Sequence, residues 1–184
     1  MEKINAITKG LRRGKVAICP TDTVYGLIAD ATNKKAVEKI FKIKKRNLKK
    51  PVPIFVKNIK TAKRLAQINK QQEEFLRKVW PGRTTAVLKR KKGKNIYGVN
   101  KKTIALRLPD YKLVIILLKK LNRPLTDTSA NISGKPVSIK IKEVLKQFKK
   151  QKYQPDLVIS AGNLPKSRPS TVIDLTTSPY KILR

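Results

Sequence analysis

The 184-residue chain contains no histidine, a single cysteine and only 11 acidic residues. Without histidine, Ser-His-Asp and Cys-His catalysis are excluded and the commonest transition-metal ligand is missing. Any chemistry falls to acids, Lys, Arg, Tyr and hydroxyls. A lone thiol, Cys19, excludes an internal disulfide and a cysteine-based zinc site. Its neighbours Ala17, Ile18 and Pro20 point to a buried structural thiol, since a reactive thiolate needs polar, partly exposed surroundings. No apolar run approaches the roughly 20 residues of a membrane span. The opening residues Met1 to Asn5 lack the apolar centre of a signal peptide, so a cytoplasmic location is expected.

What is abundant is positive charge: Lys and Arg number 45, giving a formal net charge of +34. Such a surface attracts polyanions in a salt-dependent way, which makes nucleotides and nucleic acids the natural partner class. A lysine-biased composition also fills solvent-facing positions regardless of function, so charge alone defines no RNA site. At 40% hydrophobic content the chain can bury one substantial core, and a single domain over residues 1–184 is expected.

Helical spacing of Val37, Ile40 and Phe41, preceded by Thr32 and Asn33 as caps, predicts a helix over about 33–45. Two more helices are expected at 60–69 and 71–79, stopped by Trp80-Pro81-Gly82, and others at 113–121 and 139–148. Strands are expected after Val16 and at 52–56, 84–88, 103–108, from Pro124, at 157–159, 172–173 and 182–183. The basic connection Lys89 to Lys94 reads as an exposed hairpin arm. Alternating helices and strands, with several strands in close succession, indicate an α/β mixed sheet.

Four segments carry the chemistry. Pro20-Thr21-Asp22-Thr23-Val24-Tyr25-Gly26-Leu27 places hydroxyls, a carboxylate and a phenol at the end of a strand, where open α/β sheets bind ligands. Lys44, Arg46 and Lys50 form a positive helix end, pinned by Pro51 and the strand after it. Arg there offers a planar fork to phosphate oxygens and Lys a mobile point charge. Ser129-Ala130-Asn131-Ile132-Ser133-Gly134 lets backbone N–H groups approach an anion, although it is not a Walker A loop. Ser170-Thr171-Val172 adds two hydroxyls at a strand start. Arg107, among apolar neighbours on a strand, needs a carboxylate or phosphate partner: either a substrate carboxylate or one of the chain's few acids. Asp22, Asp127 and Asp174 lie in or beside these segments, as metal or ammonium contacts or as turn caps.

In this order the motifs resemble the YrdC-like family of threonylcarbamoyl-AMP synthases, and the resemblance spans nearly the whole chain. It implies an open, twisted α/β mixed sheet with flanking helices and a concave basic face, in the short, single-domain form ending at Arg184. The implied activity makes threonylcarbamoyl-AMP and pyrophosphate from L-threonine, bicarbonate and ATP, with Mg2+ accompanying ATP, for modification of tRNA adenosine beside the anticodon. Lys44 and Arg46 correspond to the family's Lys-x-Arg pair and become the catalytic candidates. Lys44, Arg46, Lys50, Thr103, Asn131, Ser138 and Arg184 are the ATP candidates. Thr23, Arg107, Ser129 and Ser170 are the threonine candidates, with Arg107 on the carboxylate and Tyr25 lining the cavity. No metal ligand is assigned to the protein. Implied partners are a downstream threonylcarbamoyl transferase machinery and, from the charge, weak binding of tRNA or double-stranded RNA; no membrane is involved.

The chain departs from the family pattern at Arg83, where Pro is usual, and at Phe55, which often is His. It departs again at Asp127 and Thr128, where less polar residues are common, and Lys50 falls where Asn is more frequent. Two other readings compete. A non-catalytic double-stranded RNA- or ribosome-binding module would use the charge but gives no reason for the hydroxyl motifs. A carbamoyl-adenylate-forming relative of the hydrogenase-maturation type usually embeds this domain among others.

Overall fold

The computed structural model describes residues 2–184. The chain runs through α1 (Glu2–Arg12), β1 (Ala17–Cys19), β2 (Gly26–Ile28), α2 (Lys34–Lys44), β3 (Ile54–Phe55), α3 (Ile59–Leu65), α4 (Lys70–Val79) and β4 (Thr84–Lys89). It continues with β5 (Thr103–Arg107), α5 (Lys112–Leu121), β6 (Leu125–Thr126), β7 (Thr128–Ser129), α6 (Ile141–Phe148), β8 (Leu157–Val158), β9 (Thr171–Asp174) and β10 (Lys181–Ile182). The strands build two open sheets, ordered β7-β2-β1-β8 and β10-β9-β4-β5-β3-β6. Both are mixed: β1 is antiparallel to β2 and parallel to β8, while β3 is parallel to β5 and antiparallel to β6.

The helices cover these sheets because each has an apolar stripe. Helix α2 starts at Asn33, whose side chain accepts from the Ala36 amide, a cap that contributes about 1 kcal/mol. It buries Val37, Ile40, Phe41 and Ile43 and ends at Lys45 in the left-handed region (φ 50°). The Lys45 and Arg46 amides then turn back to the Lys42 and Phe41 carbonyls, which closes the helix and reverses the chain. Helix α5 buries Val114, Leu117, Leu118 and Leu121 against α1 and Cys19, Ile28 and Phe55 of the two sheets. Cys19 is fully buried and burial pushes its thiol up, as its neighbours predict.

Several elements depart from expectation. Strand 52–56 contracts to Ile54–Phe55 because Pro51 and Pro53 have no amide hydrogen for a ladder. The helix expected over 60–69 stops at Leu65, since Ala66 turns extended to bridge Arg90. The connection Lys89–Lys94 is exposed and leads from β4 to its antiparallel partner β5, as expected, but it is tied down: Arg90 donates to the Asn100, Lys94 and Ile96 carbonyls, and Ile96 beyond it is buried in the core beside α3. Helix α1, with Ile4, Ile7 and Leu11 at helical spacing, and the short strands β2 and β7 were not among the expected elements.

One junction positions everything that follows. Strand β6 belongs to the six-stranded sheet and β7 to the four-stranded one, with only Asp127 between them. The Thr126 amide donates to the Ala29 carbonyl and Asp30 bridges Leu125, so β2 and β6 are locked together where the chain changes sheets.

Candidate functional site

The turn after β1 is folded by its own hydroxyls. Thr21 Oγ1 donates to the Val24 carbonyl at 2.7 Å and accepts from the Thr23 amide at 3.1 Å. Gly26 follows because a Cβ there would lie 3.3 Å from the Thr128 carbonyl oxygen and from the Thr21 methyl. This conformation throws Asp22 across to the other sheet, where its Oδ1 accepts from Arg107 Nη2 at 2.6 Å. Arg107 also donates from Nε to the Gly82 carbonyl, its Nη1 stands 3.7 Å from Asp127 Oδ2, and its guanidinium lies 5.6 Å from the Phe55 ring centroid. With 2% side-chain exposure, the ion pair is held at the seam of the two sheets. Phe55 thus supports the arginine from below through its ring face.

Above this pair opens a cavity of about 320 Å³, lined among others by Thr21, Thr23, Arg107, Asp127, Ser170 and Arg184. A second basin of about 420 Å³ is lined by Lys44, Lys50, Asn131, Ser133 and Gly134. Arg46 and Ser129 line both, so the two basins adjoin. Each has the size of a small-ligand pocket. One is rich in hydroxyls with a buried ion pair; the other is rich in cations and loop backbone.

Lys44 is not a free phosphate ligand in this arrangement. Its Nζ donates to the Ser129 carbonyl (2.5 Å), the Asn131 carbonyl (2.9 Å) and Asn131 Oδ1 (2.9 Å), which engages all three of its hydrogens. Its own carbonyl accepts from the Ser133 amide, so the end of α2 and the loop after β7 form one unit. Burial and the neighbouring Arg46 guanidinium push the Lys44 ammonium down to about 7. Asn131 is engaged as well: Oδ1 accepts from Ser129 Oγ, and Nδ2 donates to the Lys135 carbonyl. Arg46 turns outward, bonding the Lys50 and Pro51 carbonyls from Nε and Nη2, and thereby faces both basins.

The threonine candidates Thr23, Arg107, Ser129 and Ser170 come together in the smaller basin. Arg184 joins them there, donating to the Ser170 carbonyl and Oγ at 3.0 and 2.9 Å. Three other candidates stand outside the two basins. Tyr25 does not line the cavity: it is 1% exposed, and its hydroxyl donates to the Gly162 carbonyl and accepts from the Ala161 amide, pinning a loop to the core. Thr103 starts β5 opposite Lys89, four residues before Arg107 at the far end of the strand, and lines neither basin. Ser138 lies outside both basins, accepting from the Lys140 amide and donating to Glu143 to start α6. Asp174 caps a turn through the Thr176 amide and hydroxyl.

Asp127, read in the sequence as a metal or ammonium contact or a turn cap and as a departure from the family pattern, lines the cavity as a titratable carboxylate. Burial pushes it up to about 6 against the pull of Arg107 and Arg184, with Asp22 adding repulsion. The folded state therefore binds this proton more tightly than the unfolded chain, and ionised Asp127 costs stability above pH 6. Asp127→Asn is expected to be more stable than the wild type by about 1–3 kcal/mol at pH 7.5. That advantage shrinks as pH falls from 6 to 3.8, a difference readable by urea unfolding at several pH values.

Among the described residues no group of three or more potential acidic or thiol ligands surrounds a metal position. The Sua5/YciO/YrdC family model, described as telomere recombination, matches residues 9–184. A Methanocaldococcus jannaschii protein is 38% identical over 170 residues, covering 92% of this chain and 78% of that protein. The threonylcarbamoyl-AMP synthase of Pyrococcus abyssi is 34% identical across 99% of this chain, which spans only 53% of that enzyme's length. The crystal structure of P. abyssi Sua5 complexed with L-threonine superposes with a TM-score of 0.89 at 33% identity, over 99% of this chain and 53% of that one.

Proposed function

We propose that this chain, which belongs to the Sua5/YciO/YrdC family, makes L-threonylcarbamoyl-AMP and pyrophosphate from L-threonine, bicarbonate and ATP. The observation that carries the proposal is the pair of adjoining basins sharing Arg46 and Ser129. In this reading the hydroxyl-lined basin takes threonine and the cationic basin takes the nucleotide phosphates. The P. abyssi relative solved with L-threonine supports threonine as the amino-acid ligand.

The chemistry requires no histidine or nucleophilic cysteine. The threonine amine and bicarbonate give a carbamate, whose oxygen attacks the α-phosphorus of ATP and displaces pyrophosphate. The protein's task is to hold the two reactants in line and to stabilise charge on the phosphoryl oxygens. Arg46, at the junction of the basins, bears on the phosphates at the reacting end, and Lys50 extends the positive wall. Lys44 acts through the loop it anchors, fixing the Ser129–Ser133 backbone that faces the nucleotide. The Arg107 Nη1 edge is directed to the threonine carboxylate, and the Thr23, Ser129 and Ser170 hydroxyls to its polar groups. Mg2+ travels with ATP, held by the phosphates and water, as such ions usually are.

The product would supply a downstream transferase that modifies tRNA adenosine beside the anticodon. Weak, salt-sensitive RNA binding follows from the +34 charge, and a cytoplasmic location from the sequence. No helix among the described residues is long and apolar enough to cross a membrane. A non-catalytic RNA-binding module would bind RNA equally well but be indifferent to threonine. Pyrophosphate release from ATP is expected to require threonine and bicarbonate together. Release that continues unchanged when either is omitted would exclude the proposed reaction.

A further inference from the structure

The reaction begins with a proton that has to leave. At neutral pH the amino acid carries an ammonium group, whose nitrogen has no lone pair for bonding to carbon. Among the residues of the smaller basin, Asp127 has no other assigned task. Its side chain is 15% exposed and lines the cavity, and its nearest cationic partner, Arg107 Nη1, stands at 3.7 Å, beyond hydrogen-bond length. Elsewhere on Arg107, Nη2 donates to Asp22 and Nε to the Gly82 carbonyl. Two carboxylates, Asp22 and Asp127, thus share one guanidinium at contact distance.

The Arg107 Nη1 edge and the loosely paired Asp127 carboxylate form a cation and an anion side by side on the cavity wall. A zwitterionic α-amino acid carries the same two charges on groups attached to one carbon. Its carboxylate can take the guanidinium edge while its ammonium takes Asp127, which gives each charge a countercharge in a partly desolvated place. Asp127 belongs to neither sheet but to the single-residue passage between β6 and β7, and its amide is fixed to the Pro53 carbonyl at 2.7 Å. The carboxylate is therefore held by backbone from both sheets.

We propose that Asp127 receives the α-ammonium of the amino-acid substrate and takes from it the proton that must leave before the carbamate forms. This rests on the reading given under Proposed function. The ammonium passes one proton to the carboxylate, leaving a neutral amine and a carboxyl group. The amine lone pair then forms a bond to the bicarbonate carbon. The bicarbonate hydroxyl departs with a second amine proton as water, leaving the carbamate with the negative charge that bicarbonate brought. The carboxyl proton returns to solvent through the cavity mouth. The groups facing Asp127 are Arg107 from β5, Asp22 from the turn after β1 and Arg184 after β10, with Arg46 on the opposite wall of the basin. With bicarbonate held at constant concentration, the Asp127 carboxylate sets the low-pH limb.

The test compares L-threonine with its α-hydroxy analogue, 2,3-dihydroxybutanoate, by calorimetric titration of wild type, Asp127→Asn and Asp127→Ser in the presence of ATP. Both variants are expected to lose threonine affinity about tenfold or more, as for a lost charge-assisted hydrogen bond. Affinity for the analogue, which has no ammonium, and for ATP should stay at the wild-type value, which also reports a native fold. With the bicarbonate concentration held constant at each pH, the rate of adduct formation in the wild type should fall as pH drops through about 6, and in Asp127→Asn that limb should disappear. A wild type that makes the adduct beside variants with unchanged threonine affinity and an unchanged low-pH limb would overturn the role of Asp127 and leave the reaction standing. A wild type that makes no adduct from threonine would overturn both.

Discussion

Arg107→Ala is expected to abolish threonine-dependent synthesis while leaving ATP affinity close to that of the wild type. The side chain is nearly fully buried and bonded to Asp22, whose own side chain is 6% exposed. Removing it takes away both the proposed anchor for the substrate carboxylate and the countercharge of a buried acid. The second loss alone should cost about 3–5 kcal/mol of stability, a large share of a domain's total. Arg107→Lys separates the two effects: it keeps a positive charge near Asp22 but loses the planar fork that can serve two carboxylates at once. The lysine variant should fold with a smaller penalty and still bind threonine at least tenfold more weakly. Arg46→Ala gives the opposite pattern, because Arg46 faces the cationic basin. It should weaken ATP by about tenfold even without threonine. Calorimetric titration of each folded variant with ATP and then threonine distinguishes them. If Arg107→Lys lost ATP affinity and kept normal threonine binding, the assignment of the two basins would be inverted.

Lys44→Met is expected to be the second most damaging change, although Lys44 need not touch the nucleotide. Methionine fills much of the same space but donates nothing, so the Ser129 and Asn131 carbonyls and Asn131 Oδ1 lose the shared ammonium. The Ser129 carbonyl keeps the Asn131 amide and Asn131 Oδ1 keeps the Ser129 hydroxyl, so the Asn131 carbonyl is the acceptor left without a donor, and the fold should be destabilised by about 1–3 kcal/mol. Synthesis should fall by about 100-fold or more, because a loop free to drift by an ångström no longer holds the reactants in line. Amide exchange at Asn131 and Ser133 should quicken by more than global destabilisation explains. The pH dependence has a definite sign. Folded Lys44 gives up its proton near pH 7, below the 10.5 of an unfolded lysine, so the wild type should gain stability relative to Lys44→Met as pH rises between those values.

These expectations show which parts of the site were legible in the sequence. The turn at Thr21 to Gly26, the cationic end of α2 and the Ser-Ala-Asn loop were readable because their residue types are local signals: hydroxyls, a glycine, a proline-bounded basic run. Arg107 demanded an anionic partner on burial grounds alone. That the partner is Asp22, 85 positions away in sequence, depends on two sheets meeting, which no periodicity records. Tyr25 misled for the same reason: a phenol beside a ligand turn looks like a cavity wall, yet its strand neighbours direct it inward toward Gly162. Thr103 shares a strand with Arg107, but strand length carries it to the other end.

The division into two sheets was also hidden. Strands such as β6 and β7, two residues each, are too short for an alternation to appear, and Asp127 between them read equally as a metal or ammonium contact or a turn cap. Its importance comes from position, as the one residue where the backbone passes between sheets beneath the cavity. Helix α2, by contrast, has an apolar period and a side-chain cap within its own residues, and its predicted and observed bounds agree within a residue.

The central claim is that this fold joins threonine, bicarbonate and ATP in one product. Mass spectrometry of the protein incubated with ATP, Mg2+, L-threonine and isotopically labelled bicarbonate tests it most directly. The account predicts threonylcarbamoyl-AMP carrying one labelled carbon, formed with pyrophosphate and absent when threonine is withheld. Pyrophosphate release with no such adduct, or an adenylate that lacks the labelled carbon, would contradict it.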